Sequence, residues 1–74
     1  MTTTYHFISR SIDVIPKALS LLRRRLICVT NFEAHTENGV FDFTITVDLL
    51  EGHEERFMRL FEKIREIEMI DMHS

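Results

Sequence analysis

The side chains with chemistry to offer in this 74-residue chain are one cysteine, four histidines, twelve acids and a run of three arginines. A nucleophilic thiol needs Cys28 exposed and beside a histidine base. Cys28 stands in the β-branched run Ile27-Cys28-Val29-Thr30, directly after an apolar helical pattern, so it reads as a buried and inert thiol. A zinc site needs paired ligand spacing, and His6, His35, His53 and His73 fall in four different predicted elements without it. Asp42 and Asp48 share one face of a predicted strand but lie about 20 Å apart along it, too far to act as an acid–base pair. Phe41 and Phe43 suggest base stacking, yet Val40-Phe41-Asp42-Phe43 carries an acid where RNA-stacking sheets carry Lys or Arg followed by Gly. They read as core aromatics. Gly39 and Gly52 are the only glycines, so no phosphate-cradling loop is present. No compact polar set converges, and the expectation is a binding module rather than an enzyme, with no cofactor and no metal.

The elements that position these residues follow from periodicity. Tyr5 to Ser9 is aromatic and β-rich and predicts a strand. Ser11 or Asp13 then caps a helix that tolerates Pro16 in its first turn. Ile15, Ala18, Leu19, Leu22 and Leu26 form its apolar stripe, and Arg23, Arg24 and Arg25 sit at the negative end of its dipole. A strand from Ile27 to about Ala34 follows, with Ile27, Val29 and Asn31 expected on one face and Cys28, Thr30 and Phe32 on the other. Asn38-Gly39 supplies the positive φ angles of a tight hairpin. After it Phe41, Phe43, Ile45 and Val47 alternate with Asp42, Thr44, Thr46 and Asp48. Gly52 ends this strand. His53 to Glu66 predicts a second helix, burying Phe57, Leu60, Phe61 and Ile64, and Ile67 to Met72 a last strand. The order strand, helix, strand, strand, helix, strand predicts an α+β, ferredoxin-like βαββαβ fold: a four-stranded antiparallel sheet with two helices on one face.

A chain of this length has a core that alone supplies only ~3–5 kcal/mol. A lone cysteine excludes a disulfide framework, so oligomerisation is the expected supplement. The net charge of −3 argues against a dedicated nucleic-acid binder. No apolar run approaches the ~20 residues that span a bilayer. The opening MTTTYHFISR lacks the pattern of a signal peptide, which together with the single cysteine points to the cytoplasm. Residues 1–74 read as one domain.

Three stretches carry a family resemblance: Phe7-Ile8-Ser9-Arg10-Ser11, Lys17 to Arg25 running directly into Ile27-Cys28-Val29-Thr30-Asn31-Phe32, and Phe43 to Val47 with Arg59 to Ile67. Together they resemble an ACT domain, and are most similar to the small regulatory subunit of acetolactate synthase, of the short single-domain type. The resemblance covers Tyr5 to about Met72. It implies a homodimer formed by side-by-side sheet pairing, with amino acids bound at the interface between the first strand–helix loop and the start of the second strand. On this chain those positions are Ser9, Arg10, Ser11, Asp13, Cys28, Val29, Thr30 and Asn31. It implies further a non-catalytic subunit that activates the thiamine-diphosphate-dependent large subunit in branched-chain amino acid biosynthesis.

The departures bear on the ligand. The family loop carries an asparagine and a glycine where this chain has Arg10 and Asp13, a glycine closes the first helix where it has Leu26, and Cys28 replaces a polar residue. Asp13 would crowd and repel a ligand carboxylate, with Arg10 in partial compensation. Binding of a branched-chain amino acid is therefore expected to be weak or lost. The alternative within the same resemblance is a generic ACT-like amino-acid-binding or dimerisation module acting on another partner. A small acylphosphatase-type enzyme of the same fold is disfavoured: Arg10 fits it loosely, but the glycine-containing cradle is missing.

Overall fold

A computed structural model describes residues 2–73. The elements are β1 (Thr2–Ser9), α1 (Val14–Arg24), β2 (Cys28–Glu37), β3 (Val40–Asp48), α2 (Glu54–Glu62) and β4 (Ile67–His73). They form one four-stranded sheet in the order β2-β3-β1-β4, with every neighbouring pair antiparallel. The ferredoxin-like βαββαβ arrangement expected from the element order is the one present.

Alternation decides which side of the sheet is covered. Tyr5 and Phe7 on β1 and Phe43, Ile45 and Val47 on β3 are fully or almost fully buried beneath Val14, Ala18, Leu21 and Leu22 of α1 and Phe57 and Phe61 of α2. Aromatic rings make the centre of this core. Phe7 stacks on Phe43 at 4.6 Å and meets Phe61 edge-on at 4.9 Å, while Tyr5 lies 5.0 Å from Phe61. Such pairs add about 0.5–1.5 kcal/mol each beyond the area they bury. Phe41, expected in the same row, is only half-buried, because it lies at the start of β3, at the rim of the helical layer.

The buried core draws on the two central strands and not on β2 or β4. All ten residues of β2 are exposed, including those on the helical side. β2 also runs further than Ala34, to Glu37. The reason is the hairpin: Asn38 and Gly39 both take positive φ, 52° and 77°, and a two-residue turn keeps the strands paired up to Glu37 and Val40.

Two expectations about the helices are corrected. Leu26 does not continue the apolar stripe of α1; it is 93% exposed. The helix stops at Arg24, and Leu26 takes the left-handed conformation, φ 57°. Its N–H donates to the Arg23 carbonyl and that of Ile27 to the Leu22 carbonyl, both at 3.0 Å, the paired bonds of a Schellman termination. Leucine thus occupies the position where glycine normally ends such a helix. The second helix ends at Glu62 rather than Glu66. The N–H of Ile64 donates to the Phe61 carbonyl at 2.9 Å, and that of Ile67 to the Ile64 carbonyl at 3.2 Å, so two tight turns swing the chain into β4.

Candidate functional site

The loop leaving β1 is organised by Ser9. Its side chain is fully buried, its Oγ donates to the Glu66 carbonyl at 2.6 Å, and it accepts the Ser11 N–H at 3.0 Å. Ser9 therefore ties the β1–α1 loop to the entry of β4 and is not open to a ligand. Ser11 Oγ accepts the Asp13 N–H at 3.3 Å, closing a local turn before the helix. Asp13 occupies the N-cap position without a side-chain capping bond, leaving an exposed carboxylate beside the helix start. Arg10 is exposed, with Nε 3.7 Å from a carboxylate oxygen of Glu68 on β4.

At the start of β2 the geometry departs from simple alternation. The β2–β3 register shifts between Val29 and Asn31, so Thr30 is an extra residue, a β-bulge. Val29 lies opposite Val47 and Phe32 opposite Ile45, which places both on the helical side. Cys28, opposite Asp48, and Asn31, opposite Thr46, point to the open side. The expected grouping of Ile27, Val29 and Asn31 against Cys28, Thr30 and Phe32 is thus broken by the bulge. Thr30 Oγ1 donates to the Thr46 carbonyl at 3.2 Å. Cys28 is exposed, against the expectation of a buried thiol, because it points to the side of the sheet that carries no helix.

The eight candidate residues do not come together within one chain. Ser9 pairs with Phe41, which pairs with Thr36 at the end of β2; Cys28 and Val29 pair with Asp48 and Val47 at the other end of β3. Along the strands these groups lie roughly 20 Å apart. Ser9, Arg10, Ser11 and Asp13 therefore flank the hairpin end of β2, and Cys28, Val29, Thr30 and Asn31 its beginning.

Between the two groups runs a row of which Val29 alone is among the candidate residues; Phe32, Ala34 and Thr36 are not. Val29 and Phe32 are 37% and 38% exposed, and Ala34 and Thr36 continue their face. The Phe32 ring lies 6.2 Å from Phe43, at the margin of the core. The alternation Phe32, Ala34, Thr36 was the available signal; its meaning depended on α1 stopping short of β2.

The open side of the sheet is polar. His6 hydrogen-bonds Asp42, and His35 Nε2 lies 3.7 Å from a carboxylate oxygen of Glu37. Among the described residues no group of three or more His, Cys, Asp or Glu side chains could hold a metal ion, and no helix is long and apolar enough to cross a membrane.

No protein-family model and no curated protein sequence matches the chain. Solved structures do. The ACT domain of the GTP pyrophosphokinase of Chlorobium tepidum superposes over 100% of this chain and 86% of its own, with TM-score 0.82 at 6% identity. A formyltetrahydrofolate deformylase from Burkholderia mallei matches over 100% of this chain and 28% of its own, with TM-score 0.81 at 14% identity. The aspartate kinase of Clostridium acetobutylicum, described as an allosteric enzyme, matches over 97% of this chain and 17% of its own, with TM-score 0.77 at 13% identity. The fold of residues 2–73 is accordingly that of an ACT domain.

Proposed function

We propose that this chain is a non-catalytic regulatory module that pairs with a second copy through β2 and acts on the large subunit of acetolactate synthase. The observation that carries the pairing is the uncovered β2 edge: ten exposed residues with an apolar row on the helical side. An unpaired edge of this length invites another strand. Burial of Val29 and Phe32 beneath the second copy would also enlarge a core that is small for one domain.

Antiparallel pairing of two β2 strands about a two-fold axis near Phe32 and Glu33 brings the start of each strand beside the end of the other. Cys28, Val29, Thr30 and Asn31 of one copy then stand near Thr36 and the β1–α1 loop of its mate. The separated halves of the candidate site are complementary in that dimer, where the family's effector site would lie. In this chain Asp13 brings an exposed negative charge to that place, and Arg10 already faces Glu68. A ligand carboxylate meets repulsion, so effector binding is weak or lost while pairing is kept.

The non-catalytic reading is supported by where the reactive groups stand. Cys28 and His6 occupy different rows of the sheet, opposite Asp48 and Thr44, and His6 is bonded to Asp42. A second reading, a module serving a different partner, is favoured by the variety of enzymes among the structural matches. The two readings separate in one assay: acetolactate formation by the large subunit from the same genome, with and without this chain, then with valine, leucine and isoleucine. Stimulation that the amino acids leave unchanged supports the acetolactate synthase reading. No stimulation and no co-purification removes it and leaves the generic module.

A further inference from the structure

The helical side of the domain carries a charge pattern opposite to that of the chain as a whole. Pro16, Lys17, Ser20, Leu21 and Arg24, spaced by three and four residues, share one face of α1. This face meets the segment Lys63–Glu66, which joins α2 to β4, and the two enclose an open groove of about 610 Å³. That volume is within the ~300–1,000 Å³ typical of small-molecule sites. The chain carries a net charge of −3, yet Lys17, Arg24, Lys63 and Arg65 line this groove with Glu66 as the one acid.

The acid is already engaged. Lys17 donates a hydrogen bond to Glu66, and that bond, with the positive charge of Lys17 and Arg65, holds the Glu66 carboxyl below the usual carboxylate range. Arg24, Lys63 and Arg65 are exposed and have no ion-pair partner among the described residues. Between them the floor is apolar, formed by Pro16, buried Leu21 and half-buried Ile64.

We propose that this groove binds an organic diphosphate, its phosphates on Arg24, Lys63 and Arg65 and its organic body over Pro16, Leu21 and Ile64. Two guanidinium groups offer forked donors to phosphate oxygens, and a lysine adds a point charge. Three free cations match the charge of about −3 on a diphosphate ester at neutral pH, which carboxylates reach only by carrying three separate groups. The groove faces α1 and the α2–β4 segment rather than the β2 edge, so the inference does not rest on the pairing proposed above.

Amide NMR of the full chain tests it, with ADP and dimethylallyl diphosphate as probes and pyrophosphate and citrate as charge-only controls. Both esters are expected to shift the amides of Lys17, Ser20, Arg24, Ile64 and Arg65 saturably, with affinity that falls as salt rises. The double substitution Lys63→Gln with Arg65→Gln, at two exposed side chains outside α1 and the buried core, is expected to weaken binding at least about tenfold with the amide spectrum of the core unchanged. No saturable shift at about 5 mM ester, shifts that cluster elsewhere, or unchanged binding by the double variant overturns the proposal. So does equal affinity for pyrophosphate or citrate, which would make the groove a cationic patch without a ligand of its own.

Discussion

Ser9 and Val29 are held at opposite ends of the same sheet, Ser9 opposite Phe41 at the beginning of β3 and Val29 opposite Val47 near its end. The two mark the halves of the candidate site, and no movement of side chains can join them within one chain. A second copy can, if its β2 runs antiparallel beside the first. The uncovered row of Val29, Phe32, Ala34 and Thr36 is the surface along which that would occur.

Ser9→Ala tests what the buried serine does. The substitution leaves the Glu66 carbonyl and the Ser11 N–H without their partner. A loss of about 1–3 kcal/mol in urea unfolding is expected. Amide exchange at the start of β4 should accelerate with it. A change too small to measure would mean that water replaces the hydroxyl and that the loop is not anchored there.

Leu26→Gly should stabilise the isolated domain. The left-handed conformation costs an L residue about 1–2 kcal/mol, and the Leu26 side chain has almost no packing to lose. Part of the gain is offset by the greater freedom of glycine in the unfolded chain. A net rise of roughly 0.5–1 kcal/mol in unfolding free energy is expected. Destabilisation would show instead that the exposed leucine has a covered environment in solution.

Tyr5 gives the domain a marked alkaline limit. Burial, and secondarily the Glu54 carboxylate, push its phenol up to about 12, and its hydroxyl donates to the Glu54 carbonyl at 2.6 Å. The folded state keeps the proton that the unfolded chain releases near pH 10, so this contribution is whole below pH 10 and is lost as pH rises toward about 12. Tyr5→Phe should lower stability at neutral pH and flatten the decline between pH 10 and 12 relative to the parent. An equally steep decline in both proteins would assign the alkaline loss to other groups.

Much of the fold was legible because its signals are local and agree with one another. Asn38-Gly39 dictated the hairpin, the Phe43, Ile45, Val47 alternation dictated the covered face, and Pro16 could sit only in a first turn. What could not be read were features set by neighbours distant in sequence. Cys28 looked like a core residue by composition, and is exposed because it faces the helix-free side of an edge strand. The bulge at Thr30 reverses the faces of its neighbours and has no signature in Val29-Thr30-Asn31. Leu26 fitted a helical stripe by spacing, while its backbone had already left the helix. The family resemblance marked that same position as one where glycine is usual, and the left-handed φ of Leu26 gives the physical reason.

The most direct test of the dimer is an isotope-filtered NOE experiment on a mixture of labelled and unlabelled chains at a concentration where sedimentation shows association. Antiparallel β2 pairing predicts intermolecular contacts between Val29 of one copy and Thr36 of the other, and among the Phe32 rings near the two-fold axis. A chain that remains monomeric at millimolar concentration, or a dimer whose intermolecular contacts lie along β4, would contradict the account.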